Sequence, residues 1–249
     1  MNTSIEYGQI DFSLPHDVVS LPSNGLFYKN KKKSIKVGYL TASDENILMS
    51  NSKDITLTLL RNKIYEHDIR PEDMLEGDIE AILIFLRNTA FGPELELNLK
   101  DPNTKKNFTY TVDLSVLNLI KGQSPEADGT FVTILPKSGD KIKVKPLTYS
   151  EIIDIQNVID AYPDFRIPPK VTLKLQRQIL EINEKPLDKN EISTYVEHMP
   201  IMDSKYIKKF IYDNEPRLDM RKEITTPSGE KLTVDVGFGV DFFRPFFSI

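Results

Sequence analysis

A strand that runs into a capped helix start occurs twice in this chain, at Ile35 to Glu45 (IKVGYLTASDE) and at Ile142 to Glu151 (IKVKPLTYSE). In the first copy Ile35 and Val37 alternate with Lys36, the pattern of a half-buried strand. Thr41 follows, three residues before Asp44, with Glu45 next. A hydroxyl at that position can accept a backbone N–H, and acids in a first turn suit the helix dipole. In the second copy Thr148 and Glu151 have the spacing of a capping box. Seven positions correspond in order. Single capping boxes are common, but a strand, a two-residue spacer and a cap repeated in register are not.

The correspondence extends further. Asp78, Ile82 and Phe85 match Asp203, Ile207 and Phe210 at one constant offset, and Pro102 matches Pro227 at the same offset. Thr111-Val112-Asp113 then matches Thr233-Val234-Asp235 after a shorter turn. Each half therefore reads as strand, capped helix, more helix, hairpin. The expected fold class is α+β, with two similar αβ units arising as a degenerate tandem duplication. Convergence on common cap and turn chemistry is the other reading of the same pattern. The expected organisation is an N-terminal arm over 1–34, a first unit over 35–121, a polar linker over 122–130, a second unit over 131–239 and an aromatic tail over 240–249.

Within this frame, Ser23-Asn24-Gly25 predicts a tight turn, since Asn and Gly tolerate positive φ. Helices are predicted from Glu45 to Ser50 and from Asp54 to His67. Ile79, Ile82, Leu83 and Leu86 have the spacing of a buried helical face, with Asp78 as its cap and Gly92-Pro93 as its stop. Leu95, Leu97 and Leu99 alternate as a strand and return through Phe108, Tyr110 and Val112. In the second half a hairpin spans Phe131 to Lys145. Helices follow over Thr148–Ala161, Val171–Asn183, Lys189–His198 and Asp203–Asp213, and a last hairpin surrounds Pro227-Ser228-Gly229.

The 249 residues, 39% hydrophobic, suffice for one large domain or two small ones. The 32 basic and 37 acidic residues are mixed along the chain, so nucleic acid is not the expected partner. The short basic run Lys29 to Lys33 reads as a solvated loop. Without cysteine there are no disulfides and no thiolate metal sites. No apolar run reaches the roughly 18 residues of a membrane span, and the N-terminus lacks the pattern of a signal peptide. A reducing cytoplasm is the expected setting.

Catalytic chemistry finds little support. His16, His67 and His198 fall in different predicted elements, none with a carboxylate or serine at catalytic spacing. No HExxH, GxSxG, Walker loop or dinucleotide fingerprint occurs. Gly237-Phe238-Gly239 reads as a bend, because the helix that a phosphate cradle needs does not follow. Asp44 and Glu45 already have work as cap and first-turn acids, and Lys36 and Lys143 read as solvent-facing. The expectation is a protein that is not an enzyme and carries no cofactor and no metal.

The ends of the chain are apolar. Phe242, Phe243, Phe246 and Phe247 crowd the last ten residues together with Arg244 and Pro245. Leu26, Phe27 and Tyr28 form a similar cluster near the start. Aromatic side chains with an arginine are common interface anchors. Leu26, Phe27, Tyr28, Phe242, Phe243, Arg244, Phe246 and Phe247 are therefore the candidate partner-binding residues, with fold-back onto the chain's own core as the competing role.

These features together resemble a known family. Leu21-Pro22-Ser23-Asn24-Gly25-Leu26-Phe27-Tyr28, Ile35-Lys36-Val37, Leu40-Thr41 with Asp44-Glu45, and Gly77-Asp78 with a helix ending Leu86-Arg87-Asn88 resemble the baseplate hub and hub-assembly proteins of T4-like contractile-tailed phages. The ribbon-like hairpins and the end Phe242-Phe243-Arg244-Pro245 add to the likeness, which covers most of the chain. Proteins of this pattern often carry Cys-Pro-x-Cys knuckles in the hairpins. Here Asp101-Pro102-Asn103-Thr104 and Thr226-Pro227-Ser228-Gly229 stand in those places, so the resemblance does not bring zinc with it. It implies a tail-morphogenesis protein that binds other baseplate hub proteins, in the host cytoplasm during assembly or in the virion tail baseplate. An assembly factor is the first reading and a permanent structural subunit the second. Self-association into an oligomer is compatible with both.

Overall fold

The structure, a computed structural model, describes residues 15–50, 55–163, 165–237 and 242–243. The fold is α+β, seven helices with several small antiparallel sheets among the described residues.

The first half opens with a hairpin. Strands β1 (His16–Ser20) and β2 (Ser34–Gly38) pair antiparallel, with Val19 opposite Ile35 and Asp17 opposite Val37. Ile35 and Val37 are buried and Lys36 is exposed, as the alternation requires. Residues 16–34, read from the sequence as part of an arm, thus supply one strand of this hairpin and its loop. In the loop Asn24 and Gly25 take φ of 48° and 72°. A Cβ on Gly25 would collide with the Lys31 carbonyl, so glycine is required there.

Helix α1 (Ala42–Leu48) starts at Thr41, whose N–H and hydroxyl donate to Asp44 Oδ2 at 2.7 and 2.8 Å. The same carboxylate forms a buried ion pair with Lys63 at the end of α2 (Ile55–Lys63). A 3-10 turn at Pro71–Asp73 leads into α3 (Glu76–Phe91), which Gly92 ends at φ 81°. Asp78 does not cap this helix: the N-cap position belongs to Leu75, and Asp78 lies one turn in with a longer-range task described below. Strands β3 (Glu94–Lys100) and β4 (Asn107–Asp113) then form a two-stranded ribbon. A short β5 (Leu119–Ile120) follows.

The second half also opens with a hairpin and ends with a two-stranded ribbon. Strands β6 (Phe131–Ile134) and β7 (Lys141–Val144) form the hairpin. Helix α4 (Tyr149–Asp160) is capped by Thr148 through a box with Glu151. The helix expected over Val171–Asn183 is instead α5 (Lys170–Gln178) followed by strand β8 (Ile179–Ile182). Ile179-Leu180-Glu181-Ile182 extends because it completes a sheet against β7 and turns back into β9 (Lys185–Pro186) through Asn183 and Glu184, both at positive φ. Helix α6 (Lys189–Glu197) has its own capping box, from Asp188 to Glu191. Helix α7 (Ile201–Asn214) begins two residues before Asp203. Strand β10 (Arg217–Leu218) pairs with β5, and β11 (Arg221–Thr225) with β12 (Lys231–Asp235) makes the second ribbon.

Two apolar clusters result. The larger is built on α3 with β1, β2 and α2, and the smaller lies between the β6–β9 sheet and α5, α6 and α7. The halves interlock at several places. Tyr149 N–H donates to the Met74 carbonyl at 2.8 Å, and Gly77 sits so close to Pro216 that a Cβ would collide with its carbonyl. Phe27 packs on both clusters and meets Phe131 with ring centres 5.8 Å apart. No helix among the described residues is long and apolar enough to cross a membrane.

Candidate interaction surfaces

Helix α3 holds side chains from both the N-terminal and the C-terminal part of the described residues. Its apolar face, Ile79, Ile82, Leu83 and Leu86, is buried, which removes its polar residues at 78 and 87 from water as well. A buried polar group needs partners: those of Asp78 come from Ser23 and Tyr28, and those of Arg87 from the backbone just past the helix.

At the N-terminal end, Asp78 Oδ1 accepts the Ser23 N–H at 2.8 Å and Oδ2 accepts the Tyr28 hydroxyl. The Tyr28 oxygen in turn accepts the Leu75 N–H at 3.0 Å. Burial pushes the Asp78 carboxyl up from the usual carboxylate range, against the hydrogen bonds from Ser23 and Tyr28. Burial, with the adjacent Asp78 charge, also raises the Tyr28 hydroxyl far above its ordinary value.

Arg87 is buried near the other end of the helix. Its guanidinium donates to the carbonyls of Gly92 and Glu94, the latter at 2.7 Å, and lies over the Phe242 ring, 5.6 Å from its centre. Phe242 is buried and meets Phe243 edge to face at 5.0 Å. Nine residues separate Asp78 from Arg87, roughly 13 Å along a helix. Tyr28 and Phe242 are therefore held at opposite ends of one helix.

This placement sorts the candidate binding residues. The side chains of Tyr28 and Phe242 serve the chain's own core. Phe27 is half-buried and packs on both clusters, Phe243 is half-buried, and Leu26 is exposed. Arg244, Phe246 and Phe247 lie outside the described residues.

Asp203, the counterpart of Asp78, does equivalent work. It is buried one turn into α7 and accepts the N–H groups of Lys137 (2.7 Å) and Ser138 (3.0 Å). Its partners lie in Leu135-Pro136-Lys137-Ser138-Gly139, and those of Asp78 begin in Leu21-Pro22-Ser23-Asn24-Gly25. The shared Leu-Pro and Gly of these two turns were a legible signal that the strand-and-cap repeat overshadowed.

The two ribbons meet at their tips. Asp101 is buried, and its carboxylate accepts the N–H groups of Asn103 (2.9 Å), Thr104 (3.0 Å) and Ser228 (3.1 Å) and the Ser228 hydroxyl (3.0 Å). The backbone donor at Thr104, with Ser228 and Asn103, lowers this carboxyl to about 2. The residues where paired knuckles would hold zinc are Asp101, Thr104, Thr226 and Gly229. A structural zinc site takes cysteine and histidine ligands. Here the single carboxylate is already saturated by four donors and glycine has no ligand to offer, so these residues do not fit the metal. Among the described residues no group of three or more metal-ligating side chains gathers elsewhere.

Pro163, Pro168 and Pro169 mark the connection between α4 and α5 in the sequence, but nothing in the sequence singled out Phe165 and Ile167, which stand in solvent there. Nor did it mark the cleft beside β7 and β8, about 390 Å³ in volume.

Neither a curated protein nor a solved structure matches this chain. A family model described as T4 bacteriophage base plate protein matches residues 20–244. That span begins at the end of β1 and closes just past Phe243, so it takes in Tyr28, Phe242, the helices capped by Thr41 and Thr148, and both ribbons. The chain belongs to the T4 bacteriophage base plate protein family.

Proposed function

We propose that the protein acts in assembly of the phage baseplate hub, as a factor that binds other hub proteins in the host cytoplasm and acts by contact rather than catalysis. The observation that carries this reading is the family match over residues 20–244. The placement of two aromatic side chains supports it. Tyr28 and Phe242 are packed against α3, while Leu26 and part of Phe243, their near neighbours in sequence, stay accessible. Small apolar surfaces held on a rigid support suit a partner that must be bound and then released.

The test is a pull-down from phage-infected cells with the full chain and with Leu26→Asp and Phe243→Asp. Loss of hub proteins from both variants is the expected result, with unchanged thermal melting for Leu26→Asp, whose side chain is exposed, and some loss of stability for Phe243→Asp, whose ring packs on the larger cluster. Capture of the same hub proteins by all three would move the interface elsewhere. Mass spectrometry of purified tails addresses the permanent-subunit reading, since stoichiometric presence in the particle would displace the assembly factor.

A further inference from the structure

Strand β6 is the edge of its sheet. It pairs with β7 on one side and with no strand on the other, the order being β6-β7-β8-β9. The backbone shows which groups face the open side. Lys141 lies opposite Ile134, and its carbonyl accepts the Asn183 N–H at 2.7 Å, on the β8 side. One residue on, Leu135 N–H donates to the Asp140 carbonyl at 2.9 Å, within the hairpin. Hydrogen-bonded and non-hydrogen-bonded pairs alternate along an antiparallel ladder. Phe131 and Thr133 therefore bond to β7, and the N–H and C=O groups of Val132 and Ile134 point out of the open edge.

An open edge is a template for another strand, and proteins ordinarily blunt it with charge, proline or shortness. The far edge of this sheet, β9, is two residues long, a lysine and a proline. Of the described strands of four residues or more, β6 alone (Phe-Val-Thr-Ile) carries neither a charge nor a proline. Its outer face is apolar as well, with Val132 38% and Ile134 63% exposed.

This edge is complementary to itself. When two copies lie antiparallel about a twofold axis at Thr133, Val132 of each stands opposite Ile134 of the other. Each of these pairs exchanges two hydrogen bonds, which satisfies every outward N–H and C=O, and the Val and Ile side chains meet on the outer face. The charges flanking the strand favour the same orientation. Glu126 precedes β6 and Lys137 follows it, both exposed and neither in an ion pair among the described residues. Their neighbours are already engaged: Asp128 pairs with Lys143 at 2.8 Å, Lys31 donates to the Ala127 carbonyl at 3.3 Å, and Asp203 accepts the Lys137 N–H. Antiparallel pairing carries each Lys137 toward the Glu126 turn of the other copy, whereas parallel pairing would set Lys137 beside Lys137.

We propose that β6 is a self-association site, at which two copies pair β6 to β6 and join their four-stranded sheets into one. The contact uses the same patch on both copies, so it closes at a dimer.

Cross-linking and sedimentation test this on the full chain. The protein has no cysteine, so a single introduced one reports the register unambiguously. Thr133→Cys lies on the axis opposite its own copy, in a non-hydrogen-bonded pair, where side chains are closest; mild oxidation should give a covalent dimer. Val132→Cys stands diagonally from its copy, too far for a disulfide, and should cross-link several-fold less. Sedimentation velocity over a concentration series should carry the wild type from monomer to dimer and no further. Val132→Lys/Ile134→Lys sets lysine opposite lysine and should weaken the dimer by about tenfold or more. Both side chains are exposed, so its melting should match the wild type. A wild type monomeric throughout, growth past the dimer, a lysine variant that dimerises as the wild type does, or equal cross-linking at 132 and 133 would overturn the inference. A monomeric wild type whose capture of hub proteins is lost in the lysine variant would overturn it in favour of a strand from a hub protein at this edge.

Discussion

Asp101 and Ser228, 127 residues apart, meet at the tips of the two ribbons, where one carboxylate accepts both the N–H and the hydroxyl of the serine. The same carboxylate closes its own turn through Asn103 and Thr104. One side chain thus shapes one ribbon tip and ties it to the other.

This clasp has a pH signature. The folded Asp101 carboxyl sits at about 2 against an ordinary 3.8. A depressed carboxyl contributes stability that is present above 3.8 and is lost as pH falls through about 2. Melting temperature followed from neutral pH downward should show an acid-dependent loss that is smaller in Asp101→Asn, with Asp101→Asn already less stable at neutral pH. A chelator should leave the wild-type melting temperature where it is, since the tip residues do not fit zinc. Parallel acid curves for the two proteins would remove Asp101 from this role.

The junction between the halves behaves in the opposite sense. Burial and then the Glu76 charge push Glu80 up to about 7 and Glu215 up to about 8, with Arg217 opposing. Both folded values lie above the ordinary 4.5, so the associated stability is complete below 4.5 and is lost as pH rises through 7 and 8. Calorimetry between about pH 6 and about pH 9 should show a falling melting temperature. Glu215→Gln should flatten that fall. A slope identical to the wild type's would assign the pH dependence to other groups.

Gly77→Ala separates helix propensity from packing. Inside a helix, alanine ordinarily gains roughly 0.5–1 kcal/mol over glycine. At this position the added Cβ would collide with the Pro216 carbonyl and lie 2.9 Å from Arg217 Cβ, and backbone cannot swing aside as a flexible side chain would. Overpacking costs about 1–3 kcal/mol, so the expected net effect is a loss of about 1 kcal/mol in urea unfolding. A stabilised variant would mean that α3 and the segment after α7 are less tightly packed than this.

Thr148→Ala should cost about 1 kcal/mol, the usual loss of an N-cap hydroxyl. Thr148 Oγ1 accepts the Glu151 N–H at 3.4 Å, while the Glu151 carboxylate accepts the Thr148 N–H at 2.9 Å. Because Glu151 also pairs with Lys145, the Lys145→Met change should compound the loss rather than add independently. Unchanged thermal melting of Thr148→Ala would remove the cap from the stability of α4.

The sequence by itself determined what depends on neighbours a few residues away. The capped starts at Thr41 and Thr148, the glycine stop of α3, the turn at Asn24-Gly25 and the alternating strands of both ribbons all rest on contacts within a turn or a hairpin. Their residue types are sufficient cause for their geometry, and the family likeness rested on the same local strings. Only the tertiary structure decided the rest. Ile179 to Ile182 is apolar enough for a helix face, and it extends because β7 offers an edge to pair with. Asp78 has the chemistry of a cap, but burial sends its carboxylate to Ser23 and Tyr28, some 50 residues back. Phe242 and Arg87 find each other because α3 buries the guanidinium and an aromatic face is available at that end. Phe165 and Ile167 are large apolar residues, and the turn between α4 and α5 leaves them in solvent. In each case burial or pairing between distant segments overrides local preference, because removing a polar group from water, or leaving an apolar one in it, outweighs the few tenths of a kcal/mol by which local propensities differ.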